Sequence, residues 1–189
     1  MNSYDFDGDK YNRASEHQKE WGNKIISELI LKGDEWILDL GCGDGTLTRE
    51  LATRVPNGSV IGIDSSEGMI TTAKKEVPKN VTFLLMDINH LEFINEFDLI
   101  FSNAVLHWVK DHRKLLQNCY KALKYNGCIR FNFAGKGNCS RFFKVIKIAM
   151  DKEEYRKYYS NFQWPWYMPD IHEYRLLVKK TKFNTISVW

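Results

Sequence analysis

A short apolar run that empties into three alternate glycines constrains this chain more than any other feature. Trp36-Ile-Leu-Asp-Leu40 leads directly into Gly41, Gly43 and Gly45, and Leu47, Leu51 and Val55 then recur at helical spacing. A buried strand, a tight glycine turn and a helix start, in that order, bring backbone close to a ligand at the carboxyl end of a sheet. Glycine suits such a turn because it accepts positive φ and has no side chain to hold a ligand away. The segment therefore reads as the seat of a small-molecule cofactor.

Spacing narrows the cofactor. The dinucleotide pattern G-x-G-x-x-G needs its third glycine one residue later than Gly45, where Thr46 stands. No Gly-Lys-Ser/Thr follows, which excludes a phosphate loop of the nucleotide-triphosphatase type. Two further apolar runs end in acids: Val60-Ile-Gly-Ile-Asp64 and Val81-Thr-Phe-Leu-Leu-Met-Asp87. A carboxylate at the second strand's end can accept hydrogen bonds from ribose hydroxyls, and one after the third strand suits an adenine amino group. Each acid also has a structural reading: Asp39 bracing the turn, Asp64 capping the next helix, Asp87 making a turn. Met69 packs under an adenine or in the core, and Cys42 fills the loop as a small side chain.

Asp39-Leu-Gly-Cys-Gly-Asp-Gly45, Asp64, Asp87-Ile88 and Phe97-Asp-Leu-Ile-Phe-Ser-Asn103 together resemble the class I S-adenosylmethionine-dependent methyltransferases. Tyr11-Asn-Arg-Ala14 with Gln18, and Leu106-His-Trp-Val109, are similar to the small-molecule carboxyl methyltransferases of the trans-aconitate and juvenile-hormone-acid type. The resemblance implies a Rossmann-like, doubly wound, mostly parallel α/β sheet with helices on both faces. It also implies S-adenosylmethionine as cofactor, with S-adenosylhomocysteine as its product. By the same resemblance, Tyr11, Asp39, Gly41, Cys42, Gly43, Asp64, Ser65, Met69, Asp87, Ile88 and Asn103 contact the cofactor. Gln18, His107 and Trp108 serve the acceptor: Gln18 as a partner for a substrate carboxylate, Trp108 as a pocket wall, and His107 as a base for a hydroxyl or amine. Asn132 joins them from the fifth strand, whereas Arg141 reads as a solvated helix end. The implied reaction is methyl-ester formation on a small carboxylic acid. The alternatives are O-, N- or C-methylation of another small molecule, or a shortened, non-catalytic adenosyl-ligand binder.

At 189 residues the chain suits a single domain over 1–189, with a cofactor core at 11–134, a substrate cap at 135–183 and a sixth strand at 184–189. The family's last antiparallel strand is then missing, leaving a sheet edge open to association with another copy. Ser15 and Gln18 suggest a capping box for a helix that carries Trp21, Ile25 and Leu29 inward and closes near Gly33. Ser66 caps a helix with Met69, Ile70, Ala73 and Val77 before Pro78. Asp111 starts another with Leu115, Cys119 and Leu123 inward, and Gly127 ends that connection before a fifth strand at Cys128–Phe133. Pro165 and Pro169 break the aromatic stretch from Tyr155 to Met168, which reads either as a folded-over cap or as a loop packing its rings on the sheet edge.

A net charge of +3 with interspersed signs gives no reason to invoke nucleic acid. The four cysteines lack metal-ligand spacing, and no apolar run reaches bilayer length. The expected partner is a small-molecule acceptor, without nucleic acid, membrane or metal, in the cytoplasm.

Overall fold

A computed structural model describes residues 16–183 and 187–188. Five parallel strands form one sheet: β1 (Trp36–Leu40), β2 (Ser59–Asp64), β3 (Val81–Leu85), β4 (Phe97–Asn103) and β5 (Leu123–Asn132). Their order is β3-β2-β1-β4-β5, so the direction of winding reverses between β1 and β4. At that switch point the two outgoing connections diverge, and the sheet's carboxyl edge opens into a crevice.

Three of the four crossovers carry an α-helix, because parallel neighbours need long connections, while that from β3 to β4 holds only a 3-10 turn at Ile88–His90. α1 (Glu16–Ser27) precedes β1, α2 (Thr46–Arg54) follows it, α3 (Glu67–Ala73) follows β2, and α4 (His112–Ala122) leads into β5. Alternation along the strands divides the core between two faces. Ile37, Val60, Phe83, Leu99 and Phe101 pack with Ile25 and Ile26 of α1 and Leu51 and Ala52 of α2. Leu38, Leu40, Ile63 and Ile100 face the other way, onto Leu115, Cys119 and Ala122 of α4. Each fully buried leucine or isoleucine here contributes about 1.5–3 kcal/mol of transfer free energy. Three helices follow β5: α5 (Ser140–Met150), α6 (Glu153–Tyr159) and α7 (Ile171–Lys179), with an irregular aromatic stretch between α6 and α7.

Two of the caps read from the sequence are present, while the capping box at Ser15 lies outside the described residues. Ser66 Oγ accepts the Met69 amide, and Asp111 accepts that of Lys114. Several boundaries differ. α1 stops at Ser27 rather than near Gly33, which instead turns the following loop at φ 101°. Ile25 and Ile26 form its inward face, whereas Trp21 is 60% exposed. α3 stops at Ala73, leaving Val77 exposed, and β3 ends two residues before Asp87. β5 begins at Leu123 because an irregularity opposite Phe97–Leu99 absorbs the extra residues, with Asn126 at φ 64°. Gly127 therefore lies inside the strand, not before it. The expected sixth strand falls largely on residues 184–186 and 189, outside the described residues. Among the described residues no helix is long and apolar enough to cross a membrane.

Candidate active site

The glycine turn is held from three sides. The Gly41 and Cys42 amides both donate to the Ile63 carbonyl of β2, at 2.8 and 2.9 Å. Asp64 reaches back with both oxygens: Oδ2 accepts the Gly43 amide at 3.0 Å, and Oδ1 accepts that of Ser66 at 2.9 Å. Arg49 of α2 closes the third side. Its Nη2 donates to the Asp44 carbonyl at 2.9 Å, and Nη1 lies 3.2 Å from the carbonyls of both Ala73 and Glu76. A guanidinium at a helix's carboxyl end suits the partial negative charge there.

What surrounds each glycine shows where a ligand has room. A Cβ on Gly41 would come within 2.5 Å of the Val105 side chain, and one on Gly45 equally close to Phe83. These two are packed against protein. Gly43, at φ 54°, has nothing within 4 Å of its missing Cβ. The turn thus presents a bare backbone face to open space beside Asp64.

The two acids differ in role. Asp39 is buried, and its Oδ2 accepts the Thr48 hydroxyl at 2.6 Å, tying β1 to α2. Burial raises its pKa to about 7 against the help of Thr48, and nearby Asp64 adds to the rise. Asp39 therefore braces the α2 helix through a hydroxyl, not the loop amides. Asp64 is also raised, by burial, although the amides of Ser66, Gly43 and Ser65 oppose it. The capping role belongs to Ser66, which leaves Asp64 as the anchor of the turn. Burial pushes the Cys42 thiol well above its ordinary range, so it packs as a thiol.

Asp87 holds its own turn: its Oδ1 accepts both the amide and the side-chain amide of Asn89, at 2.8 and 2.7 Å. This is the turn-making arrangement, and its other oxygen lies 3.7 Å from His90. Ser65 is exposed next to Asp64, Met69 is buried, and Ile88 packs partly buried against the α4 side of the core. Asn103 ends β4 and accepts a bond from Asn132 Nδ2 at 2.8 Å, which joins the tips of β4 and β5. Arg141 is exposed at the start of α5. Tyr11 lies outside the described residues, and Gln18 falls in the first turn of α1.

Past the β4 tip, a short 3-10 turn at Leu106–Trp108 carries the acceptor candidates. His107 is half-buried, its Nδ1 is buried without a partner among the described residues, and burial lowers its pKa, so the ring is neutral at pH 7. Trp108 packs edge-to-face on Trp166 at 5.5 Å, and Trp166 stacks on Trp164 at 5.8 Å. Phe143 of α5 supports both tryptophans. The aromatic stretch therefore lies over the loop that follows β4.

Thr48, Arg49, Val105 and Ser102, whose Oγ donates to the Leu40 carbonyl at 2.8 Å, were not legible as site residues. Only contact across the sheet reveals them. A cleft of about 800 Å³ lies elsewhere, along β5 between Trp21, Phe131 and Tyr174. The buried polar groups and the bare glycine face lie at the switch point instead.

The switch point, the bare Gly43 and the acid ending β2 belong to a Rossmann-like fold of the kind seen in S-adenosylmethionine-dependent methyltransferases. Residues 37–127 match the family described as "Methyltransferase domain". The chain is 33% identical over 146 residues to a malonyl-[acyl-carrier protein] O-methyltransferase of Priestia megaterium, covering 75% of this chain and 53% of that one. It is also 31% identical over 125 residues to a trans-aconitate 2-methyltransferase of Methylobacterium nodulans, covering 66% and 48%. Among solved structures, an S-adenosylmethionine-dependent methyltransferase from Mesorhizobium loti superposes with a TM-score of 0.56 at 31% identity, over 61% of this chain and 53% of that one. The chain spans about half the length of the relatives it matches.

Proposed function

We propose that this protein transfers the methyl group of S-adenosylmethionine to a small carboxylic acid, forming a methyl ester. The observation that carries the reading is the pairing of two unlike surfaces at the switch point. One is the bare Gly43 backbone with two carboxyl groups behind it; the other is an uncharged aromatic wall built on His107 and Trp108. One named relative is a malonyl-[acyl-carrier protein] O-methyltransferase and the other a trans-aconitate 2-methyltransferase.

When bound, the cofactor supplies a methyl group already activated by a positively charged sulfur. Gly41 to Gly45 would hold it against main chain, Asp64 would accept from its ribose, and Asp87 and Ile88 would flank its adenine. The protein's part is then positioning and exclusion of water. Trp108 and Trp166 form an apolar wall that strips solvent from an acceptor carboxylate, which strengthens its lone pair as a nucleophile. A carboxylate needs no base, which suits a neutral His107. The segment 135–183 serves as the substrate cap, and the free thiols suit the cytoplasm.

The test is incubation with methyl-labelled cofactor and a panel of small carboxylic acids. Ester label returns as volatile methanol in alkali, whereas label on nitrogen or carbon does not. Alkali-stable label would transfer the assignment to N- or C-methylation, and cofactor binding without any transfer would leave an adenosyl-ligand binder.

Two substitutions separate the two surfaces. Asp64→Ala is expected to weaken cofactor binding by about 1–2 kcal/mol and also to lower the melting temperature, since two amides lose their acceptor. A lowered melting temperature at unchanged affinity would make Asp64 a brace alone. Trp108→Ala is expected to reduce turnover about tenfold while cofactor affinity stays within about twofold. Equal loss of both in calorimetry and rate would place Trp108 in the core.

A further inference from the structure

His112 begins α4, four residues beyond the His107–Trp108 turn, and is only 2% exposed. Its Nε2 lies 2.9 Å from the Leu106 carbonyl, which can only accept, so that nitrogen carries the proton. Nδ1 is then a lone pair, and it receives the Tyr174 hydroxyl of α7 at 3.0 Å. The rings of Tyr167, Phe133 and Tyr174 enclose the imidazole, with centroids 4.8, 5.2 and 5.4 Å away. One side chain thus ties the turn after β4 to the aromatic stretch and to α7.

Neighbouring contacts follow the same line. The Tyr167 amide donates to the His107 carbonyl at 2.8 Å. Lys110 Nζ donates to the carbonyls of Trp164 and Trp166, at 2.5 and 3.3 Å. The Lys110 bonds are exposed, whereas the His112–Tyr174 bond is buried. We propose that His112 is a positioning residue: as the singly protonated Nε2–H tautomer it latches segment 164–174 onto the Trp108 turn and so completes the acceptor wall. This rests on the reading of Trp108 as that wall.

A second proton would have to enter at Nδ1, where the Tyr174 hydroxyl already points. Tyr174 would then have to turn its own hydrogen away, in a place where it is 7% exposed. The titratable groups around the ring are Asp111 on its own helix and Tyr174 and Tyr167 from across, with Glu173 bonded to the Tyr167 hydroxyl at 3.3 Å. Burial lowers the His112 pKa, while the Leu106 and Val109 carbonyls and Asp111 oppose that fall. A depressed histidine holds its neutral form in the native state, so the latch is intact at neutral pH. It is lost as pH falls from the ordinary value of about 6.5.

Hydrogen exchange of the whole chain, corrected for the intrinsic pH dependence of the rates, tests this without any methyl transfer. Protection in 164–174 should fall about tenfold between pH 7.5 and pH 5.5, the equivalent of one net hydrogen bond. His112→Phe, which keeps a ring but neither bond, should show the low protection at both pH values. Tyr174→Phe, the milder change, should lose protection at pH 7.5 and shift the acid step upward. The step should persist in His107→Asn, since His107 titrates on the same side. With an acceptor identified, His112→Phe should raise its KM about tenfold and leave cofactor affinity unchanged. Wild-type protection and an unaltered acid step in both His112→Phe and Tyr174→Phe would overturn the latch. Absence of methyl transfer with the exchange pattern intact would overturn the acceptor reading alone.

Discussion

Gly43→Ala is expected to weaken S-adenosylmethionine binding by about 10- to 100-fold, the effect of forcing one methyl group into a filled space. The fold should survive the same change. The new Cβ meets no protein atom within 4 Å, so the only penalty in the free protein is a left-handed backbone, at φ 54°, for a residue with a side chain. That penalty is about 1–2 kcal/mol, a loss of roughly 2–8 °C in melting temperature. Gly45→Ala provides the contrast, because its Cβ would drive into Phe83 and Ala73 and disturb the core directly. Calorimetric titration beside thermal melts separates the cases. Unchanged affinity in Gly43→Ala would mean that the ligand does not lie on this face of the turn.

The second large effect concerns Asp39. Its pKa is raised to about 7, first by burial, so the native state keeps a proton that the unfolded chain gives up near 3.8. A raised acid contributes stability below its unfolded value and loses it as pH climbs through the folded one. Above pH 7 a charged carboxylate is held in the core. Asp39→Asn is permanently neutral, of the same shape, and can still accept the Thr48 hydroxyl. It is therefore expected to raise stability by about 2–4 kcal/mol at pH 8, or roughly 5–10 °C, and by almost nothing at pH 4. A gain independent of pH, or a loss at pH 8, would show that Asp39 ionises in place. The same acid links to the cofactor, since a cationic ligand nearby favours its ionised form. Binding at pH 6 should release protons in the wild type, detectable as a buffer-dependent heat, and fewer in Asp39→Asn.

The first four strands and the glycine turn were legible because their signals are local. β1 is a run of buried residues, and Ser66 and Asp111 announce their helices within a few positions. Local signals failed where distant contacts decided the outcome. β5 starts five residues earlier than expected because Leu123 can pair with Phe97 across an irregularity. The periodicity that placed Trp21 inward could not register that Ile26 was the better anchor. In the site, the sequence marked Asp39 and Asp64 but could not tell which braced a helix hydroxyl and which held the loop amides. Asp87 carried a double reading, and its contacts in this structure are those of a turn. His112 had no signal at all, because Tyr174 is 62 residues away.

The central place of β1 bears on how the chain acquires its shape. β1 lies between β2 and β4, and the bond from Ser102 to the Leu40 carbonyl spans 62 residues. Until β4 arrives, one flank of β1 has no neighbour and Gly41 has no Val105 to pack against. Closing so long a loop is entropically slow, and its contacts reward the chain only afterwards. On a ribosome, the turn would stay unformed until the segment near residue 105 had emerged. Competence to bind an adenosyl compound thus waits on β4, and a ligand present at that moment would trap the newly closed sheet.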